Sequence, residues 1–106
     1  MKRKYYPINS VFRFGVKQAD FIEYLKPNYS DYSIYRTLGY IQSGLVSLTV
    51  REISEKECIY DVTDIELLNQ ILARVKNDAR NIRLHKVYSA AIHRYIRYVS
   101  QNRAIG

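Results

Sequence analysis

The sequence predicts an all-α protein, a compact bundle of four or more helices. Three observations carry that expectation. Apolar residues recur three and four apart in separate segments, which places them along one face of a helix. Hydroxyl side chains able to cap a helix start stand just ahead of two of these segments. The length of 106 residues suits one domain, which buries roughly two-thirds of its unfolded surface without staples. A content of 47% apolar and 25% charged residues is ordinary for a globular chain.

Residues 1–12 read as an extended basic arm carrying Lys2, Arg3 and Lys4, and residues 13–106 as a single helical domain. The first helix lies in "VKQADFIEYLKP", where Phe21, Ile22 and Leu25 form the buried side and Pro27 ends it. Ser30 or Ser33 then caps "DYSIYRTLGYIQSGL", with Ile34, Leu38, Ile41 and Leu45 at helical spacing. Gly39 and Gly44 sit inside this pattern, where they would permit close packing. Between 45 and 53 the periodicity is ambiguous, because Val46, Leu48 and Val50 also alternate as in a strand. A helix fraying near 50 is the favoured reading.

The clearest boundary is "YDVTDIELLNQILARVKN". Thr63 and Glu66 fit a capping box, and Val62 and Leu67 stand at the positions of a hydrophobic staple. Asp64 and Glu66 suit the positive end of the helix dipole, while Arg74 and Lys76 suit the negative end. Ile65, Leu68, Ile71, Leu72 and Val75 make the stripe of a helix over 63–77, closed by Asn77 or Asn81. The last helix is expected over 82–102. Leu84, Tyr88, Ala91, Ile92, Tyr95, Tyr98 and Val99 share its apolar face at ~100° per residue. Lys86, Ser89, His93, Arg97 and Ser100 occupy the opposite face, flanked by Arg83, Arg94 and Arg103. The Ala90-Ala91 pair lets another helix approach.

Charge is distributed unevenly. The net charge is +7, with eight Lys/Arg and three acids in residues 1–51, three and seven in 52–78, and six and none in 79–106. Basic ends around an acidic middle suggest an anionic partner. Eleven tyrosines stand against three phenylalanines and no tryptophan, a composition suited to rings that pack while their hydroxyls stay wet. Cys58 is the one cysteine and forms no internal disulfide; it reads as an inert, partly buried thiol in a reducing compartment. Neither a signal-peptide run nor the roughly 20 apolar residues of a membrane span occurs, so a cytoplasmic location is expected.

Enzyme patterns are sparse. His85 and His93 lie about 80° apart around a helix and cannot chelate one metal together, so His85 reads as flanking the core and His93 as solvated. Glu52, Glu55, Glu57, Asp61, Asp64 and Glu66 would need a lysine two positions after an acid to resemble a two-metal nuclease strand, and none follows. They read as a solvated acidic surface. Gly15, Gly39, Gly44 and Gly106 are scattered, not gathered into a phosphate loop. No cofactor, metal or small-molecule substrate is expected.

Basic residues interleaved with tyrosine rise above this background. Lys2, Arg3, Lys4, Arg83, Lys86, His93, Arg94 and Arg97 are placed to neutralise phosphates along duplex DNA, and Ser89, Ser100 and Gln101 add uncharged donors. Tyr88, Tyr95 and Tyr98 belong to the apolar stripe and read as core. The rival reading is a small protein-interaction module docking on an acidic partner. A membrane-binding domain ranks last, because the apolar faces are committed to the bundle.

"FIEYLKPNYSDYSIYRTLGYI" resembles the opening of the helical core-binding domain of tyrosine recombinases and phage integrases, where a short helix and a break lead into a capped helix. "IYDVTDIELLNQILARV" followed by "YSAAIHRYIRYV" is similar to that family's last two helices, so the resemblance spans about residues 16–100. A similar arrangement precedes nuclease domains in some restriction systems. The resemblance implies a SAM-like bundle that clamps one side of DNA, without chemistry of its own, in the recombination of a mobile element. The family's catalytic arginine, lysine, His-x-x-Arg pair and nucleophilic tyrosine lie in another domain. Here His85 is followed three residues on by Tyr88 and His93 by Ile96, so neither opens His-x-x-Arg. A chain that starts at Met and stops just past a helix suits an N-terminal piece of a longer protein, and equally a small standalone one.

Overall fold

Six α-helices and one 3₁₀ turn make up residues 16–105, the part of the chain that the computed structural model describes, with side chains described from Gln18 to Gln101. No strand occurs among the described residues. The basic arm expected over 1–12, with Lys2, Arg3 and Lys4, lies outside them.

Helix α1 spans Val16–Leu25. Phe21 and Leu25 are fully buried and Ile22 half-buried, as their spacing predicts. The chain turns at Pro27, with the Asn28 and Tyr29 amides donating to the Leu25 carbonyl. Of the two candidate caps for α2, Asp31–Ile41, Ser30 is used: its Oγ accepts from the Ser33 amide at 3.1 Å.

The helix expected to run on from there is two helices. Gln42 ends α2, and Ser43 caps α3, Gly44–Ser54, by accepting the Val46 amide at 3.4 Å. Ile34, Leu38, Ile41 and Leu45 are all buried, so the stripe survives the break. That is why periodicity alone does not reveal it. The ambiguous stretch 45–53 is helical, with Val46 and Val50 buried and Leu48 exposed. It continues past 50 to Ser54, where Glu55 closes it in the left-handed region at φ 65°. Gly39 and Gly44 permit no close packing: a Cβ on either would meet nothing within 4 Å.

After the 3₁₀ turn Ile59–Asp61, helix α4 covers Ile65–Lys76. Its N-cap is Asp64 and not Thr63. One Asp64 carboxylate oxygen accepts the Glu66 and Leu67 amides at 2.9 and 3.4 Å, which starts the helix later than a capping box at Thr63 requires. Leu68, Ile71 and Val75 are buried, Ile65 and Leu72 half-buried, and Asn77 is the C-cap.

The last predicted helix is also divided, into α5, Ala79–Arg83, and α6, Val87–Ile105. Asn81 causes the break. Its main-chain carbonyl accepts the Lys86 amide at 2.7 Å, while the Ile82 carbonyl accepts the His85 amide at 3.2 Å. These two bonds make a Schellman motif that stops α5 and sets His85 in the left-handed position at φ 61°. The Asn81 side chain then crosses to α6, where its Oδ1 accepts the Tyr88 and Ser89 amides at 3.0 and 3.1 Å. The start of α6 is capped from a neighbouring helix.

Helix α6 packs against α1, α2, α4 and α5, and α3 against α2, α4 and the 3₁₀ turn. The buried side chains form one continuous cluster. At its centre is an aromatic group, with the Phe21 ring 5.4 Å from both Tyr95 and Tyr98, 6.3 Å from Tyr60 and 6.4 Å from Tyr24. Much of the unusual tyrosine content is structural. The Tyr95 hydroxyl donates to the Val62 carbonyl at 3.3 Å and the Tyr60 hydroxyl to Gln42 Oε1 at 3.0 Å. Burial pushes both phenols well above their usual range. The buried Gln18 donates to the same Gln42 oxygen at 3.2 Å, a polar core contact that its residue type does not advertise.

Candidate nucleic-acid interface

A helix that contacts four others keeps only a narrow strip for solvent. On α6 that strip holds Ala90, His93, Arg97, Ser100 and Gln101, all exposed. His93 and Arg97 stand one turn apart and point the same way. Arg94 lies at the edge of the strip and turns toward α2. Its guanidinium donates to the Thr37 hydroxyl, and its Cζ lies 4.4 Å from the Tyr29 ring centroid.

Lys86 and Arg83 are exposed but are not on that helix face. Lys86 occupies the turn before α6 at φ 66°, and Arg83 ends α5. Three expected placements are corrected here. Ser89 is only 5% exposed, donates to the Lys86 carbonyl and receives Asn81 Nδ2 at 3.1 Å, so its hydroxyl serves the helix junction. Leu84 is exposed rather than on the apolar stripe, and His85 is exposed in the turn rather than flanking the core. Leu84 and His85 are turned out by the break at 84–86, and Ser89 is covered by Asn81 reaching across from α5.

Among the described residues most cations of this region stand outside the ion pairs, although Arg83 is near enough to Asp78 to help hold its pKa down. Ion pairs among the described residues join Lys26 to Glu23, Arg74 to Glu52 and Arg80 to Asp78. None of them engages Arg83, Lys86, Arg94 or Arg97. Asp78 serves the chain locally, capping α5 through the Arg80 amide, and its hydrogen bond with the Arg80 side chain lowers its pKa. Glu52, Glu55, Glu57, Asp61, Asp64 and Glu66 are exposed, and Glu52 ties α3 to α4 through Arg74 at 2.7 Å.

Sequence reasoning missed a feature beside this strip. Between α2 and α6 lies a groove of about 330 Å³, lined by Arg36, Arg94, Tyr32, Tyr40, Ser33 and Thr37, with Val87, Ala90 and Ala91 as its floor. Ala90 and Ala91, expected to let another helix approach, line this groove where α6 faces α2. The signal for Arg36 was present: tyrosines four residues before and after an arginine share its face on a helix.

Little else offers chemistry. No group of three or more His, Cys, Asp or Glu gathers as a metal site among the described residues. Cys58 is buried and its pKa is raised by that burial, and its thiol points to Asp61 Oδ2 at 3.5 Å. No described helix is long and apolar enough to cross a membrane. No family model, curated protein or solved structure matches the chain.

Proposed function

We propose that this chain is a non-catalytic DNA-binding module that holds the phosphate backbone of a duplex through the exposed side of α6 and the turn before it. The observation that carries the reading is a set of cations outside every ion pair among the described residues: Arg83 at the end of α5, Lys86 in the turn, and Arg94 and Arg97 on α6, in a stretch without a single acid. Surface arginines that serve only solubility are commonly paired or interspersed with acids, and these are not. A rigid helix presenting His93 and Arg97 one turn apart suits positioning against a backbone rather than reading bases. The resemblance to recombinase core-binding domains, which bind DNA without cutting it, points the same way.

Titration of a labelled duplex at several salt concentrations tests this. Affinity should fall steeply as salt rises, with a log–log slope of about −0.9 per phosphate contact. Arg97→Ala should weaken binding to all sequences alike and flatten the slope by about one unit. No detectable binding at low salt would reject the proposal.

One observation favours the protein-interaction reading. Ile82 and Leu84 are 55% and 45% exposed beside the basic turn, an apolar pair with cations around it. An acidic protein partner would feel Ile82→Ser and Leu84→Ser, whereas duplex binding should ignore both.

A further inference from the structure

Arg36 lies outside the cations predicted to contact a duplex, yet its setting is the most constructed on the surface. Tyr32, Arg36 and Tyr40 stand one turn apart on α2. The Arg36 guanidinium donates to the Tyr32 hydroxyl at 2.7 Å and to the Tyr40 hydroxyl, and its Cζ lies 5.6 and 5.1 Å from the two ring centroids. Tyr40 is braced in turn by the Tyr88 ring, edge-on at 5.2 Å. Across the groove Arg94 is held by Thr37 and Tyr29.

Both guanidiniums are therefore fixed in place by neutral groups. A hydroxyl or a ring face orients a cation without cancelling its charge, so the groove stays positive while losing little side-chain freedom when something binds. A guanidinium has five N–H donors, of which Arg36 uses two on these tyrosines and Arg94 one on Thr37. Those left over suit the forked recognition of a phosphate. Each tyrosine oxygen that accepts from Arg36 also keeps its own hydrogen to donate.

Tyr32 adds a flat apolar face, 64% exposed at the rim. A lone phosphate has no use for such a ring, but a nucleobase does. The volume is at the small end of ligand sites, room for one residue of a chain and not for a duplex. Arg97 and Arg94 stand three residues apart on α6, so a polyanion leaving the groove meets the basic strip directly.

We infer that the α2–α6 groove takes one unpaired nucleotide of a nucleic-acid strand, its phosphate between Arg36 and Arg94 and its base stacked on Tyr32. The inference rests on the proposed function for its class of partner, nucleic acid, and not for duplex binding. A phosphotyrosine peptide would match the cations but would make no use of the basic strip beyond them.

The test is fluorescence anisotropy with a short labelled oligothymidylate and with a blunt duplex, in parallel. Arg36→Ala and Tyr32→Leu should each weaken single-strand binding about tenfold, the scale of one lost stacking or phosphate contact, and change duplex binding less than about twofold. Arg36→Lys should fail to restore affinity, because it keeps the charge and loses the fork. Both positions are exposed, and unchanged unfolding midpoints would confirm that the variants fold. Single-strand binding indifferent to both substitutions overturns the inference, as does displacement of the strand by a phosphotyrosine peptide at lower concentration than by unlabelled oligothymidylate. Loss of duplex binding with Arg36-dependent strand binding intact would sink the proposed function and leave this inference standing.

Discussion

Asn81 holds more of this structure than any other polar side chain described. It is 0% exposed, and its amide satisfies the Tyr88 and Ser89 amides, the Ser89 hydroxyl and, at 3.5 Å, the Lys76 carbonyl. Asn81→Ala would strand two helix-start donors inside the protein and should cost about 2–4 kcal/mol, read from chemical unfolding. A loss below about 1 kcal/mol would mean that water takes over the cap. The buried phenols give a second prediction. Tyr60 and Tyr95 have folded pKa values raised by burial above the unfolded value of about 10. A group raised in this way holds its stabilisation below the unfolded pKa and loses it as pH climbs toward the folded one. Stability should therefore fall with pH above about 10, and Tyr60→Phe should make that alkaline decline shallower. Residue-scale reading from sequence succeeded where burial follows residue type, as at Phe21, Leu68 and Tyr95. It failed at Asn81, Gln18 and Ser89, because a polar side chain is buried only when distant partners satisfy it, and those partners are invisible in a linear pattern.

Helices were legible as stripes, and their ends less so. The division of α2 from α3 at Gln42–Ser43 leaves the stripe buried on either side, while that of α5 from α6 at 84–86 turns Leu84 out of it. The first break is marked by an ordinary N-cap residue, Ser43, whereas the second lacks the residue its cap usually takes. At the Schellman position after α5, where glycine is usual, stands His85 at φ 61°, followed by Lys86 at φ 66°. A side chain with a Cβ is strained there. His85→Gly should thus raise stability by about 0.5–1 kcal/mol. In an unbroken helix over 82–102 the same substitution would lower it by about 1 kcal/mol, so the sign of the change in unfolding midpoint decides between the two. The position also bears on function, since the turn fixes where Lys86 stands relative to α6. Strain held at such a turn is tolerated because Asn81 clamps both sides of it.

Across the whole molecule, one helix serves as both core and surface. The buried side of α6 carries Ala91, Ile92, Tyr95 and Val99 against four neighbouring helices, and its outer side carries His93 and Arg97. The charge asymmetry of the sequence drew attention to that outer side, because a run without acids cannot neutralise itself. It could not find the Arg36 groove, which exists only where α2 meets α6. The two sides of α6 should separate cleanly in experiment. Tyr95→Ala removes a ring that is 2% exposed at the centre of the aromatic group and should cost about 3–5 kcal/mol. Arg97→Ala touches no described partner and should stay within about 0.5 kcal/mol of the parent. Binding should show the reverse order. Arg97→Ala should weaken duplex affinity at an unchanged unfolding midpoint. Tyr95→Phe, which keeps the ring and loses only the hydroxyl bond to Val62, should bind as the parent does despite a stability loss of about 1 kcal/mol. If Tyr95→Phe lost affinity while still folded, the phenol and not the outer strip would be reaching the partner, and the division of α6 into a packed side and a binding side would have to be abandoned.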